Sequence, residues 1–295
     1  MTYEFTKNAP KTLSNEEYIS KAEKEFQYLL HNSSHDETTF QKFFERNPCF
    51  MPGARDEFSI LGQSGHNPHL NCLITQPQIT GLIKRVPDFM WLANDSVYFS
   101  PIIIEIEAPS KKYFKKDGNP TSHFSQARNQ LEEWQTILKR PENILSFYRD
   151  FSIPQDLTSL TFKPRFVLIY GRREEFTNDR ILTQKRGSLF DNDKILMSYD
   201  RIKPKLFNNY VTCKVKNGKY FAKYLNPTFK IGPFADEILE LQNLIQAVDN
   251  TSYLTDQRKA FLKDKIPYCL EYFKVEKNGK TVKIKNNGTN YQTEE

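Results

Sequence analysis

The chain has 295 residues and a formal net charge of +6, from 42 Lys plus Arg against 36 Asp plus Glu. A charged fraction of 26% beside a hydrophobic fraction of 38% excludes a disordered or fibrous chain and suits one large globular domain, or a core with appended elements. The mild basic excess permits an anionic partner such as nucleic acid without demanding one.

Residues 14–30 read as a helix: Ser14 and Glu17 have capping-box spacing, and Tyr18, Ala22, Phe26 and Leu29 recur with helical period. A second helix is expected at 36–46, carrying Phe40, Phe43 and Phe44 and stopping at Asn47-Pro48. Residues 57–61 (EFSIL) form a candidate strand, and GQSGHNPHLN at 62–71 is a loop by its Gly, Asn and Pro content. Three β-like runs follow, around 79–84, at 86–92 (VPDFMWL) and at 97–107 (VYFSPIIIEIE). The Ile-rich run is dense in β-branched residues and flanked by Pro101 and Pro109, which favours a buried strand.

A basic loop, SKKYFKKDGNP, occupies 110–120. Residues 123–139 then predict an amphipathic helix with Phe124, Ala127, Leu131, Trp134 and Leu138 along one stripe. RFVLIYG at 165–171 suits a strand covered on both faces, followed by a helix at 174–186 and a strand at 194–199. This alternation predicts an α/β core. Beyond 205 the pattern becomes a hairpin over 209–231 turning at Asn217-Gly218, helices at 234–249 and 256–273, and a Lys/Asn/Gly-rich tail from 275. The expected divisions are thus an N-terminal helical arm (1–35), a core (36–205) and a C-terminal hairpin with helices and a frayed tail (206–295).

The stretch that carries chemistry is PDFMWL followed by IIIEIEAP. Residues two apart on a strand share a face, so Glu105 and Glu107 project together, and Asp88 joins them if the two strands are neighbours. Three acids at the end of a buried apolar strand repel one another, and desolvation costs several kcal/mol per ion. A divalent cation offsets that cost, and an all-oxygen ligand set favours Mg²⁺ or Mn²⁺ over Zn²⁺. Such a cation activates water and neutralises charge building on a phosphate. Singly, each acid has an ordinary structural account: Glu107 in solvent, Asp88 at a turn. As a set on adjacent strands they point to metal-assisted hydrolysis.

Asp88 in "PDF", then a hydrophobic strand ending acid-x-acid and Ala-Pro, resembles the PD-(D/E)XK nucleases. Within that superfamily the chain resembles the Shedu-type antiphage nucleases. The motifs that carry the likeness are FQKFFERNP (40–48), EIEAP, a following helix with spaced glutamines, LIYGR (168–172), MSYDRI (197–202) and NPTFKIGP (226–233). The resemblance covers roughly 36–235 and lies in the order of the motifs. It implies a restriction-endonuclease-like mixed sheet flanked by helices and Mg²⁺-dependent hydrolysis of DNA in defence against phage. It also implies homo-oligomers, with the C-terminal hairpin and helices available for assembly. Asp88 and Glu105 would be the metal-binding acids, joined by the backbone carbonyl of Ile106. Position 107 departs from the pattern, with Glu where the superfamily has Lys. Two accounts follow: an active E-x-E site with Glu107 as ligand or base, or a catalytically inactive nuclease fold that binds nucleic acid or a partner protein.

Residues around this set have a functional and a bland reading each. Gln126 and Gln130, with Glu133, share a polar helix face that either abuts the acids or is solvated. The family's glutamine pattern favours Gln130 as a support of the site. Glu37, Gln41 and Glu45 share a face of the second helix, where solvation is the commoner account and Glu37 the preferred accessory acid. Lys111, Lys112, Lys115 and Lys116, with Tyr113 and Phe114 between them, and Arg172 with Arg173, would contact phosphates or be simply solvated. Lys111 or Lys112 is also a candidate replacement for the missing lysine.

The four cysteines, Cys49, Cys72, Cys213 and Cys269, form no CxxC pair, so a reducing cytoplasmic setting is expected rather than a disulfide scaffold. His66, His69 and Cys72, with Cys49, have irregular spacing for zinc, and ordinary loop residues are the commoner account. The N-terminal MTYEFTKNAP lacks the apolar segment of a secretory signal, and IIIEIE (102–107) is too short and too charged to span a bilayer, so no membrane association is expected.

Overall fold

Ser14 accepts the backbone N–H of Glu17 at 3.1 Å, and the Glu17 carboxylate accepts that of Ser14 at 2.8 Å. The capping box thus starts α1 (Asn15–Asn32) where the sequence places it. In the computed structural model, which describes residues 4, 8–58, 65–81, 86–189, 193–206, 209–232, 236–277, 284–286 and 289–291, α2 (Glu37–Arg46) follows with Asp36 as its N-cap. Phe40, Phe43 and Phe44 of α2 are fully buried and pack on Phe26, Phe50 and Tyr199.

The strands are β1 (Cys72–Thr75), β2 (Phe89–Asn94), β3 (Tyr98–Ile106), β4 (Thr161–Phe162), β5 (Arg165–Ile169), β6 (Lys194–Met197), β7 (Val211–Lys216), β8 (Lys219–Leu225) and β9 (Leu241–Gln242). They form one mixed nine-stranded sheet in the order β6-β5-β3-β2-β1-β7-β8-β9, with the short β4 beside β3. β1, β2 and β3 are antiparallel neighbours, whereas β3, β5 and β6 run parallel. β7 lies parallel to β1 and turns into β8 at Asn217 and Gly218, whose positive φ values of 51° and 71° fit a tight hairpin turn. A separate pair, β10 (Ile284–Asn286) and β11 (Thr289–Tyr291), lies near the C-terminus.

The sheet is covered on both sides. Phe89, Trp91, Ile102, Ile104, Ile106, Val167 and Ile169 face α1 and α2. Met90, Leu92, Ile103, Phe166 and Leu168 share the other core with Phe124, Leu131 and Trp134 of α3 (Ser122–Leu138) and Phe147 of α4 (Pro141–Asp150). Burial on both faces is why the Ile-rich run shows no apolar/polar alternation. The remaining helices are α5 (Gln155–Thr158), α6 (Arg180–Gly187), α7 (Leu244–Asn250) and α8 (Asp256–Lys277).

Several expectations are corrected. Residues 72–75 are a fully buried strand directly after the Gly/Pro-rich loop. Of the candidate strand at 57–61, Glu57 and Phe58 lie in a turn and 59–61 fall outside the described residues. Of that around 79–84, residues 79–81 form coil and turn, and 82–84 fall outside them. The helix at 174–186 is split, because the Asp179 side chain accepts the N–H of Leu182 at 2.9 Å and opens α6 anew after a 3-10 turn at Arg173–Phe176. The strand at 194–199 ends at Met197. In place of a helix over 234–249, residues 236–240 form a 3-10 turn, followed by β9 and α7. Among the described residues no helix is long and apolar enough to cross a membrane.

Candidate metal and phosphate site

Phe89 pairs with Ile104 at the end of the β2–β3 ladder. One step further, Asp88 comes opposite Glu105, and directly opposed residues of antiparallel strands point to the same face. Asp88 is fixed there twice: its Oδ2 accepts the backbone N–H of Ile106 at 2.9 Å, and its carbonyl accepts that of Gln76 at 2.8 Å. The Ile106 side chain is buried in the core on the α1/α2 side. Gln130 of α3, 4% exposed, donates from Nε2 to Oε1 of Glu105 at 2.9 Å.

Glu107 extends the chain past β3, and its backbone N–H donates to the Ile169 carbonyl at 2.9 Å. Its carboxylate is held by the ammonium of Lys111, four residues on. The same ammonium lies 3.6 Å from Oε2 of Glu37, at the first turn of α2. Asp88, Glu105, Glu107 and Glu37 therefore form one electrostatic neighbourhood at the carboxyl end of β3, between α2 and α3. Burial, then the charges of Glu37 and Glu107, push the Asp88 carboxyl up to about 7, against the lowering effect of the Ile106 N–H. Burial and the neighbouring Asp88 and Glu107 hold Glu105 well above the usual carboxylate range. Glu37 is raised by burial and by Glu107, with Lys111 opposing.

The donor set suits a hard divalent cation. With both carboxyls ionised, Oε2 of Glu105 is buried without a hydrogen-bond donor among the described residues, and the Lys111 ammonium is shared by Glu107 and Glu37 only. Among the described residues, however, no three His, Cys, Asp or Glu side chains stand together as a ready-made metal cage. Asp88 and Glu105 are brought together, while Glu107 is turned to Lys111.

The basic loop is anchored by its aromatics. Tyr113 and Phe114 are buried, their backbone N–H groups both donate to the Glu175 carboxylate at 2.9 Å, and the Tyr113 hydroxyl donates to the Tyr170 carbonyl. Gly171, at φ +59°, lets the loop lie on the end of β5, since a Cβ there would come within 2.7 Å of the Lys111 carbonyl. Lys112, Lys115 and Lys116 remain exposed, with no ion pair among the described residues. Arg172 is instead bound to Asp200 at 2.9 Å, which also accepts the Arg173 N–H at 2.5 Å.

Gln126 is exposed on α3, whereas Gln130 lies in the buried stripe, so the two glutamines do not act as one face. The face shared by Glu37, Gln41 and Glu45 is not simply solvated. Glu45 is 4% exposed and binds Lys223 at 2.6 Å and the Thr75 hydroxyl at 2.7 Å, and that hydroxyl also receives the Gln41 amide at 3.1 Å. Tyr199 was missed as a neighbour of the site: its fully buried hydroxyl has no hydrogen-bond partner among the described residues, and burial, then the charges of Asp88, Glu37 and Glu107, push its phenol well above the usual range. Its place in "SYD" after a strand was the available signal. The cysteines are free and buried. Cys49 and Cys72 belong to opposite cores, His66 is exposed, and His69 packs its ring against Tyr220, so the zinc alternative finds no shared centre among the described residues.

A protein-family model described as Shedu protein SduA, C-terminal, matches residues 34–202. The match includes Glu37, Asp88, Glu105, Glu107, Lys111 and Gln130. No curated protein matches the chain.

Proposed function

Because the chain belongs to the family of the Shedu protein SduA C-terminal region, which implies antiphage defence, we propose that it is a metal-dependent nuclease hydrolysing DNA phosphodiester bonds. The reading includes a restriction-endonuclease-like arrangement for the core of the sheet. The observation that carries it is the opposition of Asp88 and Glu105 at a buried strand end, with Gln130 on one and the Ile106 N–H on the other. Mg²⁺ or Mn²⁺, when bound, supplies Lewis-acid activation of water and charge neutralisation at phosphorus. Asp88 and Glu105 would hold the ion, with the Ile106 carbonyl as a further ligand. Gln130 fixes the Glu105 carboxylate, and Glu107 is a further ligand or accepts a proton from the attacking water. Lys112 and Lys115 offer charge to the DNA backbone beside this point, in a homo-oligomer.

The test is plasmid DNA incubated with Mg²⁺ or Mn²⁺, wild type beside Glu105→Ala. Metal-dependent nicking that disappears in the variant supports the proposal. No nicking by wild type under any divalent ion overturns it. A second reading, an inactive nuclease fold that binds DNA or a partner protein, is favoured by one observation: Glu107 replaces the signature lysine and is neutralised by Lys111. That reading expects DNA binding that is metal-independent and unchanged by Glu105→Ala.

A further inference from the structure

Lys111 is the cation that, among the described residues, forms ion pairs in the acidic neighbourhood. Its ammonium bonds the Glu107 carboxylate and approaches Glu37 at 3.6 Å, bridging the end of β3 to the start of α2. It is only half-buried, and it reaches the acids from a loop whose backbone is pinned independently by Tyr113, Phe114 and Glu175. The loop therefore keeps its place whether or not the ammonium stays. Asp88 and Glu105 lie next to this pair with no ion pair of their own among the described residues, and Oε2 of Glu105 has no donor there. One ammonium supplies a single charge to Glu107 and Glu37 and none directly to Asp88 and Glu105, whereas a divalent ion brings twice that charge to the same neighbourhood.

We propose that Lys111 is an exchangeable internal counter-ion, standing in for a divalent cation at Glu107 and Glu37 in the metal-free protein and leaving them when the cation binds. This inference rests on the metal-binding reading of Asp88 and Glu105. It adds that loading the site frees a primary amine at its rim, next to exposed Lys112, where an anionic phosphate would approach. Lys111 is thus a positioning residue for the acids in one state and an anion contact in the other.

The test uses the full chain and Mn²⁺ alone. Lysines are acylated briefly with an amine reagent, in chelator or in Mn²⁺, and the labelled peptides are quantified by mass spectrometry, while calorimetry follows Mn²⁺ binding. The expected result is a rise of about threefold or more in Lys111 labelling with Mn²⁺, an unchanged rate at Lys112, and no rise at Lys111 in Glu105→Gln. A merely structural ion pair would not respond to the metal. Mn²⁺ binding without a change at Lys111 overturns the counter-ion proposal and leaves the metal site standing. If wild type binds no Mn²⁺, Lys111→Met decides: binding that emerges in this variant supports displacement as the obstacle, and absence of binding in both overturns this inference together with the metal-dependent reading. Lys111→Arg, which keeps the charge, is expected to bind Mn²⁺ within about twofold of wild type.

Discussion

Two carboxylates, the buried Glu45 and the half-buried Asp88, carry opposite energetic signs. Glu45 is matched by Lys223 and a threonine hydroxyl, so removing Lys223 strands a buried charge, at a cost of about 3 kcal/mol. Lys223→Met should therefore lower the unfolding midpoint in urea without changing its slope. Asp88 has no ion pair among the described residues. Its ionisation is opposed by burial and by Glu37 and Glu107, which push its carboxyl up to about 7 in the fold against about 4 in an unfolded chain. The protonated form is the one the fold favours. The associated stability is present below the unfolded value, falls as pH rises from about 4 through 7, and is lost above. In chelator at pH 8, Asp88→Asn should raise stability by on the order of 3 kcal/mol, keep an acceptor for the Ile106 N–H, and flatten the decline between pH 5 and 8. A destabilised Asp88→Asn protein at pH 8 would contradict the charge strain described at this site.

At the scale of elements, the basic loop depends on one glycine and two aromatics. Gly171→Ala would place a Cβ against the Lys111 carbonyl and the Tyr113 ring while holding a left-handed backbone. A loss of about 1–3 kcal/mol is expected, together with displacement of Lys111, so thermal stability and Mn²⁺ affinity should both change. The elements that position the site were legible because their signals were strong and local. Ser14 and Glu17 fixed the start of α1, the phenylalanine cluster marked α2, and the β-branched run marked β3. Asp88 opposite Glu105 followed from two adjacent strands. What was not legible depended on contacts distant in sequence. β1 is four residues long, too short for any period, and is a strand because β2 and β7 lie on either side of it. The split of the 174–186 segment came from a cap at Asp179. Gln130 separated from Gln126 because helix rotation, not residue type, decides which one reaches Glu105. Arg172, open in the sequence to a phosphate contact or to solvation, is tied to Asp200, and Tyr113 and Phe114 anchor the basic loop.

For the whole molecule, charge and sheet continuity matter most. The exposed Lys112, Lys115 and Lys116 share the loop of Lys111, which reaches the acids, on an otherwise mildly basic chain. If they meet DNA phosphates, Lys115→Ala with Lys116→Ala should reduce the slope of log binding constant against log salt by up to about two, measured by fluorescence anisotropy. An unchanged slope would remove these two residues from the interface.

The sheet does not stop at residue 205. β7, far along the chain, pairs with β1 through Cys72, Leu73 and Ile74, and β8 and β9 continue outward from it. A truncation after Pro204 would expose the backbone donors and acceptors of β1 along a short edge that is wholly buried in the intact fold, open to pairing with any strand it met. Such a fragment is expected to aggregate during expression even though it retains every acid of the proposed centre. The hairpin thus serves the first half of the chain as a guard against self-association of the wrong kind.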